Sequence, residues 1–247
     1  MTRVGVIGLG WMGRVHLRNY TEMPGVDVAG VVDTSPEALD AAREQFGVDG
    51  ASELAWLLDK DLDAVSVCVP TSLHHEVGLA CIERGVPLLM EKPLAATVPE
   101  GEELVSKARA KGLPLMVGHI ERFNPAVQRV KELLDDSEVI SVQIERVGPY
   151  PPRIQDVGVI KDLGSHDIDL LRFFTGAEFA DAFAVTSTTI GKHEDTALIT
   201  ARMDNGVLGN INTNWVTPYK SRRIHASCRD KYVTANLITQ EVKEYSQ

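Results

Sequence analysis

Apolar positions in the first half of the chain come in short blocks separated by helix-type spacing. Residues 4–7 are a β-branched run, followed by Gly8-Leu9-Gly10-Trp11-Met12-Gly13 and a helical stretch to about Glu22. Residues 26–32 read as the next strand. Ser35-Pro36-Glu37 then signals a helix start, with a capping side chain and proline at the first helical position. Ser52 is a candidate cap for a helix through Leu58. Residues 64–69 form a buried strand, 74–84 a helix closed by Gly85, 87–90 a strand, 99–111 a helix closed by Gly112, and 113–117 a strand. Strands alternating with helices predict a parallel, doubly wound sheet of the Rossmann type.

The second half changes period. Residues 138–147 are strand-like, and 164–174 is the one clear helix. Strand-like runs then follow at 179–190, 196–203, 207–215, 223–227 and 232–237, with Asp204-Asn205-Gly206 as a hairpin turn. The alternation Val207, Gly209, Ile211, Thr213, Trp215 suits an antiparallel sheet with one covered and one open face. The expected fold is therefore α/β: a doubly wound parallel-sheet domain over 1–123 and an α+β domain with an open antiparallel sheet over 124–247. The open sheet face is a candidate subunit interface.

Composition narrows the class. The 247 residues are 44% hydrophobic and 24% charged, ordinary for a globular protein, and 20 Gly with 12 Pro show no repeat. Acidic residues outnumber basic ones 35 to 25, giving a net charge of −10. The one basic cluster, 220–223, reads as a solvated loop, so a nucleic-acid partner is not expected. Three cysteines without CxxC spacing predict neither a disulfide framework nor a zinc cluster, and no metal is expected. No run approaches the ~18 apolar residues of a membrane span, and the apolar stretch at the N-terminus is too short for a signal peptide. The expected location is the cytoplasm.

Three constellations carry chemistry. Gly8-x-Gly10-x-x-Gly13 follows a strand and opens a helix. The first glycine allows the turn, the second lets a pyrophosphate approach, and the third lets helix and strand pack. Asp33 lies 20 residues beyond Gly13, at the end of the second strand. A carboxylate there accepts hydrogen bonds from ribose hydroxyls and repels a 2′-phosphate, favouring NAD over NADP. A turn residue before Thr34-Ser35 is the plainer alternative. Glu91-Lys92-Pro93 follows the strand at 87–90, at the carboxyl edge where such sheets bind ligands. An ammonium there can donate to a substrate oxygen, although an isolated tripeptide of this kind is usually a surface turn. Asp162-x-x-x-His166 stands at the start of the second-half helix. With the helix beginning near Gly164, its dipole disfavours an imidazolium while the Asp162 carboxylate opposes that effect, and His166 reads as a base or simply as a structural histidine.

Taken together, these features resemble the glucose–fructose oxidoreductase / inositol dehydrogenase (Gfo/Idh/MocA) family, over residues 4 to about 241. The resemblance implies a nicotinamide cofactor, NAD, and oxidation or reduction of a sugar or cyclitol carbinol. It assigns Lys92, Asp162 and His166 to catalysis, with His166 the general base. It assigns Gly8, Gly10, Trp11, Met12, Gly13, Asp33, Pro70, Thr71, His74, Glu91 and Lys92 to the cofactor. A narrower resemblance rests on Gly118-His119-Ile120-Glu121-Arg122-Phe123-Asn124-Pro125, on residues 147–153 and on Asp156-Val157-Gly158. It points to members oxidising the 3-hydroxyl of UDP-N-acetylglucosamine, with Lys92, His119, Arg122, Asn124, Arg153 and His166 toward the substrate. Another sugar or inositol dehydrogenase, or a non-catalytic NAD(H)-binding regulator, is the alternative. The expected partners are a nucleotide sugar or sugar and further copies of the chain, as a homodimer or homotetramer. Family members carry a further strand and helices beyond the point where this sequence stops, so the family's C-terminal tail is expected to be missing.

Overall fold

A computed structural model of the chain describes residues 1–151 and 157–246. They form two compact units, Met1–Gly118 and His119–Gln247.

The first unit is a six-stranded parallel sheet in the order β3-β2-β1-β4-β5-β6. Its strands are β1 (Thr2–Ile7), β2 (Val26–Val32), β3 (Gly50–Ala51), β4 (Ala64–Val67), β5 (Leu88–Met90) and β6 (Leu115–Val117). Helices α1 (Trp11–Glu22), α2 (Pro36–Phe46), α3 (Leu54–Leu58), α4 (His74–Glu83) and α5 (Val98–Ala110) connect them. The central strands carry unbroken apolar side chains because both faces are covered. One core cluster gathers Ile7, Val65, Val67, Leu88 and Met90 with Leu104 of α5. A second gathers Val6, Val31 and Leu17. The helix signals act as expected at α2, where the Ser35 hydroxyl accepts the Ala38 N–H and Gly47 closes the helix at φ 66°. At α3 they do not: the cap position is Glu53, with no side-chain cap, so Ser52 has no capping role.

The second unit holds a seven-stranded sheet in the order β13-β12-β11-β7-β10-β9-β8. Its strands are β7 (Val139–Pro149), β8 (Phe179–Ser187), β9 (Thr196–Met203), β10 (Leu208–Asn214), β11 (Val216–Cys228), β12 (Lys231–Asn236) and β13 (Glu241–Ser246). The sheet is mixed rather than wholly antiparallel, because β10 lies parallel to β7. Chain reversal through α7 (Ser165–Thr175), β8 and β9 returns β10 to the side of β7 opposite β11. The basic cluster 220–223 is not a loop but part of β11.

Among the described residues the second unit holds two α-helices where one helix was expected. Helix α6 (Pro125–Asp135) starts at Asn124, whose Oδ1 accepts the Ala126 N–H, with Pro125 in the first turn. It buries Ala126, Val127, Val130 and Leu134 in a cluster with Leu170, Leu171 and Phe174 of α7 and with Ile144, Ile211 and Ile224 of the sheet.

Helix α7 is also pinned by charge. Asp167 is fully buried and accepts from Arg146 Nε at 2.7 Å, while Arg146 Nη1 donates to Glu121 at 2.8 Å. Two residues on, Asp169 takes the Arg122 fork at 2.7 and 2.5 Å. Burial pushes the Asp167 carboxyl up to about 6, against the pull of Arg146. This lies above its ordinary 3.8, so between about pH 4 and about pH 6 the folded chain binds more protons here than the unfolded chain. The stability from this group is full at low pH and falls as pH rises through that window. Asp167→Asn, uncharged throughout, should therefore gain on the wild type by up to about 3 kcal/mol between pH 4 and 7. Urea unfolding of both proteins across that range checks it; a constant difference would refute the assignment.

Candidate active site

At the fingerprint, each glycine answers a different contact. Gly8 has φ +89°, and a Cβ there would lie 2.8 Å from the Cys68 main chain. A Cβ on Gly13 would lie 1.7 Å from the Gly8 carbonyl oxygen, so only glycine allows α1 to pack this close to β1. Gly10 differs: its backbone is ordinary (φ −60°, ψ −166°), and a Cβ there meets nothing within 4 Å. No side chain caps α1. Its first-turn N–H groups thus face an open cradle at the positive end of the helix, which suits a pyrophosphate.

Asp33 follows β2 and braces this turn. Its Oδ2 accepts the Leu9 N–H at 2.6 Å and its Oδ1 the Ser35 N–H at 2.8 Å. A carboxylate has about four lone-pair sites, so two remain for ribose hydroxyls. Trp11 is exposed at the first position of α1, with Met12 half-buried behind it. These residues fit the dinucleotide that the motif implies.

The Glu91-Lys92-Pro93 segment leaves the end of β5 as expected, and the Lys92–Pro93 bond is cis. Lys92 is half-buried, whereas Glu91 is buried beneath it. The Glu91 Oε2 accepts the Lys92 N–H at 3.2 Å, and its Oε1 lies 3.1 Å from His16 Nε2 on α1. Burial, then the charge of Glu91, pushes the neighbouring Cys68 thiol up to about 12, which makes it inert at neutral pH. Both Glu91 carboxyl oxygens are thus engaged by groups of the protein. His74 is likewise committed: its ring nitrogens lie 2.8 Å from the Pro93 carbonyl and 3.0 Å from the Val69 carbonyl. It ties the turn of Pro70 and Thr71 to the lysine segment. Pro70 is exposed and Thr71 half-buried at the start of that turn, a 3₁₀ turn over Thr71–Leu73.

In the second unit, Asp162 sits in a π-helical turn, Ile160–Gly164, that runs directly into α7. Helical backbone therefore begins before Ile160, not near Gly164. His166 thus lies more than a turn inside the helical segment. A π turn within a helix is uncommon and is often found at functional sites. Asp167, the residue after His166, belongs to a charged cluster with Arg146, Glu121 and Arg222. Burial, then Arg146, lowers the Arg222 guanidinium, while Glu121, Asp167 and Asp162 act to raise it.

Two expected substrate ligands have other work. The Arg122 fork is taken by Asp169. Asn124 uses Oδ1 on the Ala126 N–H and Nδ2 on the Leu237 carbonyl at 3.2 Å. The resemblance implies a place toward the substrate for both, whereas in the structure Arg122 holds Asp169 of α7 and Asn124 caps α6. His119 is half-buried, with Nδ1 3.7 Å from Asp169 Oδ2. Arg153, with Asp156, lies outside the described residues.

A parallel sheet with this glycine turn, a bracing acid after its second strand and a lysine after its fifth defines an NAD-dependent oxidoreductase. The chain matches the oxidoreductase family described as having an NAD-binding Rossmann fold over residues 2–119, and the GFO/IDH/MocA C-terminal domain over 127–233. It belongs to the Gfo/Idh/MocA family of dehydrogenases. It is 31% identical, over 243 residues, to UDP-N-acetylglucosamine 3-dehydrogenase of Acidithiobacillus ferrooxidans, covering 98% of this chain and 76% of that one. A solved structure of that enzyme matches with a TM-score of 0.93, over 99% of this chain and 77% of the other. Inositol 2-dehydrogenase 2 of Saccharopolyspora erythraea is 35% identical over 220 residues, 84% of this chain and 65% of that one. The structure of GenD2 from gentamicin A biosynthesis, in complex with NAD, matches with a TM-score of 0.89 at 25% identity, over 95% of this chain and 72% of that one.

The glycine contacts separate two effects. Gly13→Ala should destabilise the protein by about 1–3 kcal/mol or more, as overpacking against a main-chain atom does. Gly10→Ala should leave the melting temperature unchanged and weaken NAD by at least about tenfold. Thermal unfolding and titration calorimetry of both variants check the pair. Unchanged NAD affinity in Gly10→Ala would show that the pyrophosphate lies elsewhere.

Proposed function

We propose that the protein oxidises the 3-hydroxyl of UDP-N-acetylglucosamine to the ketone. The observation that carries this reading is the 31% identity to a UDP-N-acetylglucosamine 3-dehydrogenase across 98% of the chain. The fingerprint glycines and Asp33 hold NAD, which supplies the hydride acceptor. His166 takes the proton of the reacting hydroxyl. Lys92 donates to the same oxygen and stabilises the negative charge that develops on it. Asp162 orients the imidazole or relays its proton. With the Arg122 fork occupied by Asp169, Arg153 and His119 remain the candidates for the substrate's polar groups.

The 35% identity to an inositol 2-dehydrogenase favours a second reading, oxidation of a cyclitol by the same residues. The reading as a cytoplasmic enzyme goes with a homodimer or homotetramer formed through the open face of the second sheet. There Val185 of β8 lies directly opposite Leu198 of β9, and both are exposed, as is Phe183. No helix among the described residues is long and apolar enough to cross a membrane.

Nicotinamide absorbance at 340 nm, with a ketone trap, tests the substrate. NADH is expected with UDP-N-acetylglucosamine and not with UDP-glucose or myo-inositol; turnover of myo-inositol alone would establish the second reading. His166→Ala should lose ~10²–10⁴-fold in kcat while NAD binding persists. Undiminished turnover in that variant would remove His166 as the base.

A further inference from the structure

Beneath the lysine segment lies a chain of four polar side chains that the reaction itself does not use. The Tyr20 hydroxyl is 2.7 Å from Ser66 Oγ, and Ser66 Oγ is 3.0 Å from His16 Nδ1. His16 Nε2 is 3.1 Å from Glu91 Oε1, and Glu91 Oε2 accepts the Lys92 N–H. Ser66 is wholly buried, and the His16 and Glu91 side chains are 11% and 10% exposed. The chain links α1, which opens at the fingerprint, through β4 to the loop that carries Lys92.

Donor accounting fixes the link that matters. An ionised carboxylate only accepts, so the proton between His16 and Glu91 belongs to Nε2. In the neutral ring Nδ1 then accepts from Ser66, and Ser66 accepts from Tyr20. With the ring protonated, Nδ1 donates instead, but Nε2–H still donates to Glu91. The bond to Glu91 therefore holds in either state. It is a charge-assisted bond in a site that excludes most water, the setting in which such bonds hold geometry best.

We propose that His16 is a positioning residue for Lys92. It holds Glu91 from the fingerprint helix, and Glu91 holds the lysine main chain. The helix against which the cofactor phosphates rest and the loop bearing the ammonium thus move as one body. The proposal rests on the reading of Lys92 given above, and Lys92 reaches its working position only while this brace is made.

Two amide variants separate the brace from mere packing. In His16→Gln the side-chain amide can occupy the place of Nε2 and keep the donor to Glu91. In His16→Asn it can occupy the place of Nδ1, keeping the Ser66 link and losing Glu91. Hydrogen exchange at the Lys92 amide, measured without cofactor or sugar, should quicken at least about tenfold in His16→Asn and stay near wild type in His16→Gln. In the turnover assay kcat should fall at least about tenfold in the Asn variant alone, with the NAD dissociation constant within about threefold of wild type in both. Equal behaviour of the two variants, in exchange and in kcat, would overturn the proposal. So would a nitrogen-15 spectrum of the wild type showing His16 protonated at Nδ1 and bare at Nε2, a result that needs no variant to fold. The exchange and spectral readouts involve no substrate, so wild-type inactivity on every sugar would count against the proposed reaction and leave the brace to be judged by them.

Discussion

The contact between Gly13 and the carbonyl of Gly8 sets the spacing on which the nucleotide-binding unit depends. It brings α1 against β1 at a distance no side chain permits. That approach puts His16 and Tyr20 within reach of Ser66 and Glu91. It also puts the open N-terminus of α1 beside Asp33, whose two oxygens hold the turn in place. Dinucleotide cradle and lysine loop are two ends of one packing decision made at a missing Cβ.

In the second unit charge has the corresponding role. Asp167 and Asp169 enter the interior from α7, and each is received by an arginine from elsewhere in the unit. Taking a carboxylate out of water is costly, so each pair is retained only where its geometry is good. The result is a helix held at two successive inward positions beside His166. Apolar packing alone would hold it less specifically, since aliphatic side chains slide and repack more freely than a two-point ion pair.

Local chemistry made much of the fold legible. The fingerprint, the Ser35-Pro36 helix start, the glycines that end helices and the Asp204-Asn205-Gly206 turn each act through a few neighbouring residues, and each is where the sequence puts it. The unread parts depend on distant partners. Helix α6 carries the cap Asn124, the starter Pro125 and apolar positions at Ala126, Val127, Val130 and Leu134, so its signal was present, but the adjoining motif drew Asn124 toward the substrate. Arg122 looks like a free fork until Asp169, 47 residues away, is seen to fill it. The parallel pairing of β7 and β10 is a property of the chain's path, which no short window contains. His16, a lone histidine on a helix, carries no signal in the sequence until Glu91, 75 residues later, is brought to it.

The π-helical turn at Ile160–Gly164 has a further meaning for how this segment can vary. An α-helix cannot lose one residue without rotating everything beyond the gap by about 100°. A π turn holds one residue more than an α turn, so a single deletion within it can be taken up by closing the turn to α geometry, with α7 left seated on its buried carboxylates. What such a deletion would change is the angle between Asp162 and His166. The segment is thus a phase adjuster: it lets the carboxylate be re-aimed around the helix axis while the histidine stays in register with the core.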